Sequence, residues 1–147
     1  FSLNEGEVLG LVGESGSGKT TLGRTIIRLI NQDSGKIKFD NLDISNLSKS
    51  SMKKIRKDMQ IIFQDPFGSL NPRHSIEHII GEPLLVHNYG TYNKIKKRIL
   101  ELLNQVGLPK ESMSLYPHEF SGGQRQRIAI ARAIALKPKF LIVVLGL

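Results

Sequence analysis

The 147 residues contain no cysteine and no tryptophan, and aromatic side chains make up only 6% of them. Without cysteine there is no disulfide framework, no thiol nucleophile and no Cys-ligated zinc within these residues. Long apolar runs are missing too. The longest, Phe140 to Leu145, has six residues, against the ~20 that a helix needs to span a bilayer. Histidine is scarce, with only His74, His78, His87 and His118. His74 and His78 stand four apart but without the Glu of a His-Glu-x-x-His frame. They read as solvated or capping histidines, and no metal site is expected there.

What remains is ordinary for a folded domain. An apolar share of 39% and a charged share of 23% are close to soluble globular values and exclude a wholly disordered chain. The length suits a single domain with a sizeable core. Lys and Arg number 21 and Asp and Glu 13, so 21 − 13 gives a net charge of +8.

The order of elements suggests an α/β fold. Val8-Leu-Gly-Leu-Val12 is a short apolar run that reads as a buried strand covered on both faces. A Gly/Ser cluster follows, and then helical spacing of Leu22, Ile26, Ile27, Leu29 and Ile30 predicts a helix from Lys19 to Ile30. The alternation from Gly35 to Asp40 predicts a half-solvated strand in a hairpin. A short basic helix over Ser48 to Lys57 and a buried strand over Met59 to Phe63, closed by Asp65-Pro66, come next. Two helices are expected at about Ser75 to His87 and Tyr92 to Val106, the second ended by Gly107. A third is expected at Ser121 to Leu136, followed by a last strand from Phe140. Strands and helices in this order predict an α/β core with an inserted helical subdomain.

Gly13-Glu14-Ser15-Gly16-Ser17-Gly18-Lys19-Thr20 matches the phosphate-loop pattern G-x-x-x-x-G-K-[ST] in full, between an expected strand and an expected helix. Glycines allow positive φ and let backbone N–H groups approach a phosphate without a Cβ in the way. Those N–H groups and the helix N-terminus make a concave anion site. Lys19 can then reach the β- and γ-phosphates, the Thr20 hydroxyl can hold Mg²⁺, and Thr21 completes the stretch. The chance of such a match is on the order of 0.005 across the chain at ordinary residue frequencies. Nucleotide phosphate binding is the reading adopted.

Two further stretches carry a resemblance. Phe120-Ser121-Gly122-Gly123-Gln124 resembles the signature motif of ATP-binding cassette (ABC) ATPases, usually Leu-Ser-Gly-Gly-Gln. Physically, it is a second anion site at a helix N-terminus. Ile61-Ile-Phe-Gln64-Asp-Pro is similar to the family's Q-loop. With the stretches Phe1 to Glu7, Met59 to Arg73 and Tyr116 to Ala133, the chain resembles the ATP-binding subunit of oligopeptide/dipeptide importers, F-type members above all.

The resemblance implies a P-loop NTPase fold of ABC type, here incomplete. Residues 1–64 would form a partial phosphate-loop core, residues 65–120 the helical subdomain, and residues 121–147 the signature helix and a shortened Walker B strand. It implies ATP and Mg²⁺ as cofactors, with Thr20 and Gln64 toward the metal and Lys19 and Gln64 in catalysis. Cassettes of this family pair head to tail, so Ser121, Gly122, Gly123 and Gln124 would contact ATP held by a second ATPase subunit. Gln64 and the helical insert would sense transmembrane permease subunits. The implied location is cytoplasmic, peripheral on the inner face of the cell membrane. Neither nucleic acid nor a metal other than Mg²⁺ is expected.

The pattern fails at one place. Where the family ends its Walker B strand in Asp-Glu, this chain has Val144 and Leu145. The Asp would order Mg²⁺ and the Glu would polarise the attacking water, so the general-base Glu is absent. With Phe1 at one end and Gly146-Leu147 at the other, the sequence reads as a piece cut at both ends. Binding of nucleotide with negligible turnover is expected. The positive charge falls in two clusters, Lys49, Lys53, Lys54, Arg56 and Lys57, and Lys94, Lys96, Lys97 and Arg98. No aromatic ladder interleaves them, so solvated helix faces are expected rather than a nucleic-acid surface. The rival functions are a non-transport ABC ATPase of DNA repair or translation, and a non-enzymatic remnant subunit.

Overall fold

A computed structural model of the chain describes residues 1–65 and 67–145. Pro66, Gly146 and Leu147, which enter the readings above, lie outside the described residues. Five α-helices and four short strands are described: α1 (Lys19–Ile26), β1 (Lys38–Phe39), β2 (Leu42–Asp43), α2 (Lys49–Arg56), β3 (Met59–Ile62), α3 (Ile76–Val86), α4 (Tyr92–Gln105), α5 (Gly122–Ile134) and β4 (Phe140–Val143). Two 3-10 turns, Lys110–Ser114 and Pro117–Glu119, join α4 to α5.

Strand β3 pairs in parallel with β4, Met59 opposite Phe140 and Ile62 opposite Val143. All of α3, α4 and α5 lie in the connection between them, which is the βαβ logic of an α/β fold enlarged by helices. Strands β1 and β2 form an antiparallel hairpin. Its turn residues Asp40 and Asn41 both have positive φ, 50° and 64°, the backbone that a two-residue hairpin requires and that Asn and Asp tolerate best.

The helices follow their caps. Ser48, Ser75, Thr91 and Ser121 each accept a backbone N–H at the start of α2, α3, α4 and α5, satisfying a donor that has no partner inside the helix. Helix α4 turns Ile95, Ile99, Leu102 and Leu103 inward, all buried. They join Ile76, Ile80 and Leu84 of α3 and Ile128, Ala129 and Ala131 of α5 in the larger of two cores. Each fully buried leucine or isoleucine there contributes about 1.5–3 kcal/mol. A smaller core gathers Ile27, Ile44, Met52 and Met59.

Three expectations are corrected. Val8 to Val12 is not a strand: it pairs with no described residue, and Val8 and Val12 are 96% and 82% exposed. A strand exists only through ladder bonds to a neighbour, and an apolar run cannot supply those for itself. Helix α1 stops at Ile26, not Ile30, because Arg28 takes φ 56° and the N–H groups of Leu29 and Ile30 both fold back to the Arg24 carbonyl. That is a left-handed helix end made without glycine. The Arg28 guanidinium then donates to the carbonyls of Ile44 and Ser45. Finally, Arg98 is not on a solvated face. It is buried, and donates to the carbonyls of Ala135 (3.1 Å) and Ile134 (3.2 Å) at the end of α5, where a cation favourably meets the negative helix end.

Candidate nucleotide site

The phosphate loop is built by local rules alone. Gly16 and Gly18 have φ of 80° and 92°, and no atom lies within 4 Å of where a Cβ would stand on either. Gly18 is the N-cap of α1 and makes no side-chain cap bond, so the first N–H groups of the helix are left to an outside acceptor. Ser17 N–H donates to the Glu14 carbonyl at 3.1 Å and closes the turn. The Lys19 ammonium folds back over the loop, donating to the carbonyls of Gly13 and Glu14 and to Ser17 Oγ (3.2 Å). A Cβ on Gly13 would stand 2.8 Å from Ser17 Oγ.

Leu11, Val12, Gly13, Ser17, Gly18, Lys19 and Leu22 line a concavity of about 270 Å³ over this loop. The arrangement fits a di- or triphosphate: helix N–H groups, bare glycine backbone and one ammonium converge on it. Thr20 stands on the first turn of α1, half-buried, and Thr21 beside it is exposed. A larger concavity of about 520 Å³, lined by Arg98, Glu101, Gln105, Ile134, Lys137, Pro138 and Leu141, shares no residue with the loop. Its lining includes the carboxylate of Glu101, and the Arg98 guanidinium there is already bonded to the carbonyls of Ala135 and Ile134.

Gln64 lies two residues beyond β3, exposed. Val144 follows β4, with its N–H bonded to the Ile62 carbonyl at 2.9 Å. The two parallel strands therefore end side by side, with Gln64 after one and Val144 and Leu145 after the other.

The signature residues form a capping box. Ser121 Oγ accepts from Gln124 N–H, and Gln124 Oε1 accepts from Ser121 N–H at 3.0 Å. Gly122 is half-buried, and Ser121, Gly123 and Gln124 are exposed. Among the described residues no hydrogen bond joins Gly13–Thr21 to Ser121–Gln124. The two anion-type sites are separate features of one chain.

A connection that sequence reading missed joins the segment after Gln64 to the signature helix. The Arg125 guanidinium lies 4.4 Å from the Phe67 ring centroid and donates to the carbonyls of Pro117 (2.8 Å) and Phe120 (3.1 Å). A Cβ on Gly122 would meet the Phe67 ring at 3.8 Å. The cation over the ring ties this loop to the start of α5. An Arg directly after Gly-Gly-Gln and a lone Phe after the Q-loop were the only signals available.

Comparison with known proteins agrees with this geometry. The family described as "ABC transporter" matches residues 1–143, so the match stops at the residue before Val144. The oligopeptide transport ATP-binding protein AppF of Bacillus subtilis is 54% identical over 143 residues, 97% of this chain and 44% of that protein. The oligopeptide transport ATP-binding protein OppF of Streptococcus mutans is 54% identical over 144 residues, 97% of this chain and 46% of that protein. The chain thus spans about half the length of these relatives. Among solved structures, a dimeric ATP-binding cassette, MJ0796, bound to ADP and Pi is 32% identical with a TM-score of 0.85, over 97% of this chain and 62% of that one. The fold is that of an ABC ATPase cassette, present in part.

Proposed function

The chain belongs to the ABC transporter family, and from that premise we propose that it is the ATP-binding part of a peptide importer. The phosphate loop carries this reading: two left-handed glycines, an uncapped helix start and the Lys19 ammonium share one concavity. The names of the relatives at 54% identity, oligopeptide transport ATP-binding proteins, support peptide as the cargo class.

In this reading the N–H groups of the loop and Lys19 hold the β- and γ-phosphates. Thr20 and Gln64 face Mg²⁺, whose charge would stabilise the phosphates when bound. Ser121, Gly122, Gly123 and Gln124 serve ATP on a second ATPase subunit; the dimeric state of the cassette MJ0796 supports such pairing. The helices after Gln64 meet transmembrane permease subunits, which places the chain at the inner membrane face. No helix among the described residues is long and apolar enough to cross a membrane.

A slower reaction follows from the end of β4. Val144 and Leu145 are aliphatic and stand beside the strand end that leads to Gln64, so neither can order a metal-bound water or polarise an attacking one. Binding without ordinary turnover is proposed. Titration with a fluorescent ATP analogue, and phosphate release on the same samples, test both parts. Saturable binding lost in Lys19→Ala with release at background is expected. Unchanged binding in Lys19→Ala overturns the site, and Lys19-dependent release at ordinary rates overturns the deficiency.

A further inference from the structure

At the head of α3 the fold gathers three metal-ligating groups that the phosphate chemistry leaves unused. We propose that His74, His78 and Glu82 bind a borderline divalent transition-metal ion, with Zn²⁺ the best chemical match. One ligand atom from each residue lies within 4.8 Å of the others. Three donors about 2 Å from one tetrahedral ion sit roughly 3.3 Å apart, so these atoms have to draw closer to share one ion.

The backbone explains the meeting. His78 and Glu82 are four apart on one face of α3. Ser75 caps the helix, accepting the His78 N–H at 3.3 Å. The chain entering that cap brings His74 back over the first turn, with its ring centroid 4.0 Å from that of His78.

The donor set selects the ion. Two imidazoles and one carboxylate suit Zn²⁺, Ni²⁺ or Cu²⁺, whereas Mg²⁺ takes oxygen ligands in an octahedron. Three protein ligands leave a fourth position for water. Glu82 is exposed and makes no ion pair among the described residues. The Arg132 guanidinium, which feels the charge of Glu82, is half-buried, donates to the Ser69 carbonyl at 2.7 Å and forms no salt bridge with Glu82. The carboxylate is therefore available to a second cation. The cluster shares no residue with the phosphate loop, Gln64 or the signature. An ion there would fasten the segment that follows Gln64 to the second turn of α3.

The test uses nucleotide-free protein. Co²⁺ is added first, for its visible absorption in a low-symmetry site, and Zn²⁺ then displaces it in a calorimeter. Expected are one Zn²⁺ per chain at micromolar affinity and a rise in unfolding temperature. His74→Ala and His78→Ala should each weaken binding by at least about tenfold, the loss that even an outer-shell partner typically causes. A parent protein that takes up no Zn²⁺, or a double variant with unchanged affinity, overturns the proposal. A second measurement needs no variant: Zn²⁺ should shield His74 and His78, but not His87 or His118, from diethylpyrocarbonate, read by mass spectrometry. Equal labelling of all four histidines with and without Zn²⁺ overturns it as well.

Discussion

The helices between β3 and β4 and the segment leading into the phosphate loop are both rich in aliphatic residues, yet only the helices bury them. Ile80, Leu84 and Leu102 are fully buried, while Val8 is 96% exposed. A helix closes its own backbone bonds and needs only another helix face to cover its stripe. A strand has nothing until a neighbour completes its ladder. The phosphate loop sits next to the exposed segment and still takes a defined turn, because turn glycines and a helix start are local. Geometry for phosphate and burial of the strand before it are thus separable.

The largest expected effect tests that contrast directly. Leu102→Ala removes a fully buried side chain and should cost about 2–5 kcal/mol in denaturant unfolding. Val8→Ser should stay within about 0.5 kcal/mol, as exposed substitutions do. Comparable losses in both would show that residues 8–12 are packed and the contrast false.

Gly18→Ala places a Cβ on a residue at φ 92°, a left-handed backbone that costs an L-residue about 1–2 kcal/mol. The strain falls on the loop, so affinity for the ATP analogue should drop roughly tenfold while Leu102-dependent stability is kept. An undiminished affinity would mean that the loop rearranges before it binds.

Ser121→Ala should cost about 1 kcal/mol of stability through the lost cap on α5. Ser121→Asp should restore the stability, since a carboxylate caps equally well and favours the helix N-terminus. If the aspartate also restores dimer-dependent ATP binding, Ser121 serves α5 only as a cap and not the partner's nucleotide.

The smallest effect is electrostatic and belongs to the helical side. Burial, and then the charges of Lys53 and Lys57, hold the His87 imidazole below its ordinary 6.5. A lowered value favours the neutral ring in the folded state. Its contribution is complete above pH 6.5 and is lost as pH falls toward the folded value, while the unfolded chain takes up a proton first. His87→Gln should therefore flatten the acid side of the stability profile between neutral and mildly acidic pH. A profile unchanged in shape would assign that slope to other groups.

Much of this was legible in the chain because the rules are local. The phosphate loop, the serine and threonine caps and the apolar face of α4 each depend on residues within a few positions of one another. The helices expected from about Ser75, Tyr92 and Ser121 begin there, each behind a side chain that caps its first turn. The hairpin was legible as well, although its paired residues are only Lys38–Phe39 and Leu42–Asp43. Arg98 misled because a lysine-rich run reads as a wet face, and only the approach of α5 shows its guanidinium capping two carbonyls. His74 and His78 read as solvated or capping histidines, and the structure adds only their neighbour Glu82. The sequence frame has its Glu between the histidines, whereas the acid that lies near them, Glu82, comes one helical turn later.

Sequence by itself determined the shape of the phosphate loop, since positive-φ glycines, a helix start and a lysine six residues past Gly13 need no distant partner. It determined the apolar face of α4 too, through the 3.6-residue period. Tertiary structure alone decided that β3 and β4 lie in parallel with their ends together, that Arg125 rests on Phe67, and that Val8 to Val12 stays outside any sheet. The reason is physical. Backbone turns and helices are settled within a few residues, whereas ladders, cation–ring contacts and burial are properties of surfaces that the chain brings together only when it folds.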